Sequence, residues 1–493
     1  MSVRVRFAPS PTGYVHIGSL RTALYDFLFA KQNGGQYIVR IEDTDRTRLV
    51  DDAIENLIHA VDWAGIMHDE GPVIEEGQIV QTGEYGPYVQ SERLETYRPY
   101  VDQLIESGHA YYCFCTKERL EGIREANKAA GIFAGYDGHC RDLSLDEAMK
   151  RIEAGEAYVV RLKMPKDKEL IFNDLVRGTV KMNTSDSDDQ VLLKADGFPT
   201  YHMAVVVDDH LMGITHMIRG EEWLPSTPKQ IVLFEALGWD VPTFVHLPNI
   251  LNIEKKKLSK RHGDVAVKDF KSKGYLPEAL INFVALVGWS PEGDQEIMTM
   301  DEMIEKFSFE RVSKSGGVFD VQKLNWMNNH YIKNADADRL TDLSIPYIVE
   351  GGFVKEEEVA EKRDWIKRIV DLSREYLEYM AQIVDHMPLF LGTTVDPEND
   401  EAKEMLELDN VAVMLTNMKE KIENAEDLEA ATLKAIFKAV QKETGSKGKN
   451  LYMPTRVAVS GQVHGPDLME TISILGKERV VSRIEHVLKN YCK

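Results

Sequence analysis

Four cysteines in 493 residues are too few to build a disulfide framework. Long hydrophobic runs are missing as well: no stretch approaches the roughly 20 apolar residues a helix needs to span a bilayer. The opening M-S-V-R-V-R-F passes directly into strand-like sequence and leaves no room for a signal peptide. These absences predict a cytoplasmic protein without membrane contact. Positive charge is in short supply too, with 59 Lys and Arg against 81 Asp and Glu and a net charge of −22. Taken over the whole chain, that balance argues against a nucleic-acid partner. It does not exclude one, because phosphate contacts need only local basic patches. The remaining composition is that of a globular protein, 43% hydrophobic and 28% charged, in a chain long enough for two to four domains.

The chain is organised around A-P-S-P-T-G-Y-V-H-I-G-S, residues 8–19. Alternation over 3–7 predicts a β-strand with one apolar face. Two prolines, a glycine and small hydroxyl residues then forbid regular structure. Leu20, Ala23, Leu24, Phe27 and Leu28 follow at helical spacing, and Asn33-Gly34-Gly35 stops that helix. A second strand is predicted over 36–42, ending in E-D-T-D. Such a βαβ start delivers His16 to a helix N-terminus, whose free N–H groups and partial positive charge suit a phosphate. A neighbouring imidazole adds a donor that can strengthen as phosphate charge shifts.

A second stretch, E-K-K-K-L-S-K-R-H-G-D at 254–264, would on its own read as a solvated lysine run. Together the two resemble one family. P-S-P-T-G-x-x-H-I-G resembles the first signature of class I aminoacyl-tRNA synthetases, in the form used by glutamyl and glutaminyl enzymes, with Ser19 where the nominal motif has its second histidine. K-L-S-K-R resembles their second signature. The resemblance implies an ATP site of His16, Gly18, Lys257, Leu258, Ser259, Lys260 and Arg261, with Mg2+ arriving on ATP. His16, Gly18, Ser19, Lys257 and Lys260 are its implied catalytic residues. Carboxylate attack on ATP builds negative charge at a pentavalent phosphorus, and the flexible ammonium groups of Lys257 and Lys260 can follow it. An L-glutamate pocket is implied as well: Glu42 for the α-amine, Arg6, Ala8 and Ser10 from the first strand, Tyr201 and Arg219 from the second half-sheet. A bidentate guanidinium suits a γ-carboxylate.

The fold class expected is α/β: a Rossmann-type parallel-sheet catalytic domain in two halves, 1–95 and 196–250, split by an α+β insertion at 96–195. A stem-contact domain bearing the K-L-S-K-R loop is expected over 251–334, and an all-α anticodon-binding domain over 335–493. Residues 51–95 read as helices and loops, Gly-rich over 75–88. In the insertion, Leu94, Tyr97, Val101 and Leu104 mark an amphipathic helix, with strand-like runs at 158–162, 170–172, 175–182 and 190–194. A helical hairpin is expected between Cys115 and Cys140. The continuous apolar run Ala204, Val205, Val206, Val207 predicts a strand buried on both faces. Thr227-Pro228 opens a helix reaching Leu237. Further helices are expected at 279–291, 307–320 and 323–332.

C-x-C at 113–115 with Cys140 beyond it invites a zinc reading, beside the plainer one of small buried hydrophobes. The stretch resembles the zinc-bearing insert of some glutamyl-tRNA synthetases, which implies one structural Zn2+ on Cys113, Cys115, Cys140 and, as fourth ligand, Asp142; His139 is the alternative. Near the other end, Lys447, Lys449 and Arg456 form a basic patch beside Tyr452. The last 160 or so residues resemble the anticodon-binding domain of the bacterial-type glutamyl enzymes. The resemblance thus spans the chain and implies a monomeric ligase that charges tRNA-Glu through glutamyl-adenylate. Two rivals remain: an enzyme that also charges tRNA-Gln, and a catalytically silent tRNA-binding relative. Intact His16, Gly18, Lys257 and Lys260 argue against the silent form.

Overall fold

The computed structural model describes residues 2–45, 48–131, 135–258 and 265–492. Two units emerge, Met1–Ser272 with Pro277–Val321, and Lys273–Leu276 with Gln322–Lys493. In chain order the first carries β1 (Arg4–Phe7), α1 (Ile17–Gln32), β2 (Gln36–Val39), α2 (Ala53–Trp63), β3 (Gly71–Glu75), β4 (Gln78–Thr82), α3 (Leu94–Glu106), β5 (Ala110–Cys113), α4 (Lys117–Ala129), α5 (Leu145–Glu153), β6 (Val159–Leu162), β7 (Glu169–Asp174), β8 (Gly178–Asn183), β9 (Val191–Leu193), α6 (Tyr201–Leu211), β10 (His216–Gly220), α7 (Thr227–Ala236) and β11 (Thr243–Leu247). Short strands Ile250–Leu251 and Gly317–Val318 pair in parallel beyond it, with helices between them. The second unit is helical among the described residues, ending in Leu468–Asn490, where Gly476 at φ 76° breaks the helix into two.

The α/β class with a helical C-terminal body is as expected, and the strand pairings explain how the site is assembled. β1 runs parallel to β2, with Arg6 opposite Ile38. Their pairing continues past both strand ends: Arg40 N–H donates to Phe7 O and Glu42 N–H to Pro9 O, each at 3.0 Å. Glu42 is thereby held against the loop that follows β1. β10 and β11 are parallel, with Arg219 opposite His246. Thr215 N–H donates to Arg4 O at 2.9 Å, so β10 enters beside β1. On the far side β7 joins β11 in parallel and pairs antiparallel with β8, so a hairpin from the 96–195 segment extends the sheet of the second half. β5, β6 and β9 make a separate antiparallel sheet.

Four local expectations are corrected. Ala204 to Val207 is not a strand but the middle of helix α6, fully buried. A continuous apolar run fits any element enclosed on all sides, and here the helix contacts α3, α7 and β9. The Gly-rich stretch after Glu75 is a hairpin turn: Glu76 and Gly77 both take positive φ, 50° and 75°, joining β3 to β4. Glutamate at the first turn position hid a signal that Asn-Gly would have given. Residues 307–320 hold a single 3-10 turn, Phe309–Arg311, and a two-residue strand rather than a helix. Between Cys115 and Cys140 the described residues form one helix, α4, and no hairpin.

Candidate active site

Loop 8–15, the N-terminus of α1 and the C-terminal ends of β1 and β10 enclose a cavity of about 1020 Å³. Its lining includes Arg6, Ala8, Ser10, His16, Gly18, Ser19, Glu42, Tyr201, Arg219, Lys257 and Leu258, so the described residues expected for ATP and for glutamate share one cavity. Ser259, Lys260 and Arg261 lie outside the described residues.

His16 is the N-cap of α1. Its Nδ1 accepts from Gly18 N–H at 2.9 Å and from Ser19 N–H at 3.4 Å, and Nε2 lies 3.3 Å from Ser19 Oγ. An Nδ1 that accepts carries no proton, so a neutral ring keeps its hydrogen on Nε2. The imidazole thus satisfies helix N–H groups that a phosphate could have taken, and offers its own Nε2–H as a donor. Leu258 N–H donates to Ile250 O at 2.9 Å, which ties the start of the second motif to a strand. Lys257 is exposed on the cavity side of that turn.

The other end of the cavity is lined by buried charge. Asp209 receives Arg6 Nε at 3.0 Å and Arg40 Nη1 at 2.7 Å, and Arg40 Nη2 reaches Glu42 Oε1 at 3.0 Å. Asp208 behind them takes Arg93 Nε at 2.7 Å. Burial pushes the Glu42 carboxyl up, with Arg40 and Arg6 pulling it back. Arg219 is held differently. Its Nε donates to His246 Nε2 at 3.0 Å and its Nη2 to Thr227 Oγ1 at 2.9 Å, while Nη1 is buried without a hydrogen-bond partner. The cations Arg6, Arg40 and Arg93 face the anions Glu42, Asp208 and Asp209, whereas Arg219 has no carboxylate in direct contact. Burial accordingly lowers its pKa. Tyr201 sits beside it, its ring 4.3 Å from that of Trp223. Arg40, His246 and Thr227 carried no motif, and only the register of the folded strands reveals them.

At the edge of the β5–β6–β9 sheet, the sulfurs of Cys113, Cys115 and Cys140 lie within 4.8 Å of one another. Asp142 does not join them: its side chain is 93% exposed and its carboxylate lies 3.9 Å from Lys163 Nζ. The expected fourth ligand is therefore corrected, since the chain leaves Cys140 in a turn that carries Asp142 outward. Tyr136 takes the inner place, its hydroxyl 3.4 Å from Cys113 Sγ and 3.5 Å from Cys115 Sγ. That oxygen also accepts from Cys140 N–H at 2.9 Å. Burial and the neighbouring sulfurs push the Cys115 thiol up to about 11, whereas hydrogen bonds from Tyr136, the Cys115 backbone and Arg161 outweigh burial and hold Cys113 below the usual thiol range. In the second unit, Lys447, Lys449 and Tyr452 are exposed, while Arg456 turns inward to Pro466 O at 2.6 Å.

A family profile described as "tRNA synthetases class I (E and Q), catalytic domain" matches residues 2–326, and one described as "Anticodon binding domain" matches 339–488. Among curated proteins, a glutamate–tRNA ligase of Alkaliphilus metalliredigens is 60% identical over 99% of both chains. One of Clostridioides difficile is 57% identical over 99% of this chain and 100% of its own. A crystal structure of a glutamate tRNA ligase from Elizabethkingia meningosepticum, in complex with its amino acid, superimposes with a TM-score of 0.88 at 37% identity, covering 100% of both chains.

Proposed function

This chain belongs to the class I tRNA synthetases for glutamate and glutamine, within them to the glutamate–tRNA ligases, and we propose that its cavity carries both steps of that ligation. In the first, the α-carboxylate of L-glutamate attacks the α-phosphorus of Mg-ATP, forming the mixed anhydride and releasing pyrophosphate. His16 Nε2–H, at the positive end of the α1 dipole, holds phosphate oxygens, and Gly18 leaves room for that approach. Lys257 and Lys260 follow the charge that develops on the phosphates, lowering the barrier more than they tighten ATP binding. In the second, the terminal adenosine hydroxyl of tRNA-Glu, the 2′ one, takes the glutamyl group. The helical second unit, with Lys447 and Lys449 exposed, meets the anticodon end. The reading has the enzyme act as a monomer in the cytoplasm.

Glutamate and glutamine differ at the side-chain end by one charge and almost no volume, so the choice between them must be electrostatic. The observation that carries the glutamate reading is Arg219: a buried guanidinium that lines the cavity, with neutral partners on Nε and Nη2 and none on Nη1. A γ-carboxylate pairs with it directly, whereas a neutral amide leaves the guanidinium buried with no carboxylate in contact. Glu42 receives the α-amine. Three thiolates and the Tyr136 oxygen make a donor set that fits one structural zinc, which would pin the insertion and take no part in the reaction. The test is ATP–pyrophosphate exchange with tRNA-Glu present. Exchange driven by glutamate and not by glutamine supports the reading; equal rates with both amino acids overturn it.

A further inference from the structure

Three buried side chains behind the cavity have no place in the steps above. Asp174 closes β7, His246 lies on β11 and Thr227 starts α7, yet all converge on Arg219. We propose that Asp174 and His246 form a positioning relay, with Thr227 as its second arm, that aims the free Nη1 of Arg219 into the cavity and so determines amino-acid specificity. The proposal rests on Arg219 being the γ-carboxylate partner.

The hydrogen-bond directions follow from chemistry. An arginine cannot accept, so the 3.0 Å contact from Arg219 Nε makes His246 Nε2 an acceptor without a proton. The ring hydrogen then sits on Nδ1 and is donated to Asp174 Oδ2 at 2.6 Å. Asp174 is held in turn by backbone donors: His246 N–H at 3.0 Å on the same oxygen, and Val176 and Arg177 N–H at 2.9 and 2.8 Å on Oδ1. Those bonds outweigh burial and hold its carboxyl below the usual range, so it stays an acceptor. Asp174 thus fixes the tautomer of His246, His246 fixes Arg219 about Nε, and Thr227 Oγ1 occupies Nη2. Rotation of the guanidinium would break two bonds at once. Nη1 is the one nitrogen of the guanidinium with no hydrogen-bond partner.

Such a network is expensive to bury, and apolar residues of similar size would commonly pack as well. Its geometry matters because a charged recogniser must be held within a fraction of an ångström of its target. The arrangement also makes the β7–β8 hairpin part of the specificity apparatus, though none of its residues need touch the substrate.

Two substitutions at one position separate positioning from bulk. His246→Gln can place an amide oxygen where Nε2 accepts, whereas His246→Asn reaches only as far as Nδ1 and leaves Arg219 Nε unpaired. In exchange assays with tRNA-Glu, His246→Asn should raise KM for glutamate ~10- to 100-fold and narrow the preference over glutamine, with KM for ATP nearly unchanged. His246→Gln should recover most of that loss. Equal damage to glutamate and ATP in both variants, or an unchanged glutamate KM in His246→Asn, overturns the relay. Arg219→Gln runs alongside: if it leaves glutamate KM unchanged, the reading of Arg219 fails, whereas if it raises KM while His246→Asn does not, only the relay fails. Should neither His246 variant fold, Thr227→Val keeps the side-chain shape and removes the Nη2 acceptor. It should raise glutamate KM several-fold, and an unchanged value overturns the proposal.

Discussion

Gly18 has no room for a methyl group, because an ideal Cβ would lie 2.8 Å from His16 Cε1 and 3.1 Å from its Nδ1. Gly18→Ala should push the imidazole off the helix end and lower the rate of adenylate formation ~10- to 100-fold, a loss of one or two aligned donors. Thermal stability should change by only a few degrees, since a helix cap is worth about 1 kcal/mol. A rate within twofold of wild type would detach His16 from phosphate handling. His68 gives a test of a different kind. Burial holds its pKa at about 4, so the folded protein keeps it neutral while the unfolded chain, near 6.5, takes up a proton. Its stabilising effect is therefore complete above pH 6.5 and lost as pH falls towards 4, by about 3 kcal/mol at most. His68→Gln should flatten the acid limb of Tm against pH; an identical limb would show that His68 is not its source. Sequence reached His16 because a dozen neighbouring residues fit one pattern. Nothing marked His68 or His246, whose roles depend on what folding packs around them.

Elements were legible where their ends carried chemistry. His16 at one end of α1 and Asn33-Gly34 at the other bounded it correctly, and Thr227-Pro228 opened α7 as expected. The run 204–207 suits strand and helix alike, because enclosure removes the periodicity that separates the two. The cysteine turn was half legible: the three thiols come together, while the oxygen beside them belongs to Tyr136, four residues before Cys140, and not to Asp142 beyond it. Protein purified without chelators should contain about one zinc per chain. Tyr136→Phe should weaken that binding when measured by chelator competition, whereas Asp142→Ala should not. Metal-free, fully folded protein would return the three cysteines to the role of core residues.

At the scale of the whole molecule, composition pointed away from the partner. A net charge of −22 conceals a cavity whose inner end carries a buried guanidinium with no carboxylate in contact, and a helical unit that exposes Lys447 and Lys449. Charge summed over a chain says little about a pocket whose field is set by groups a few ångströms away. The strand order that brings Arg6, Glu42 and Arg219 to one wall was legible only through the resemblance, because register between β1 and β10 joins residues some 200 positions apart. The central claim is that this wall selects glutamate by charge. The measurement that tests it most directly is kcat/KM for glutamate and for glutamine in tRNA-dependent exchange, wild type against Arg219→Gln. The account predicts a steep rise in KM for glutamate, a preference over glutamine reduced about a hundredfold, and nearly unchanged ATP binding. A variant that kept its full preference for glutamate would contradict it, and Arg6 would be the residue to change next.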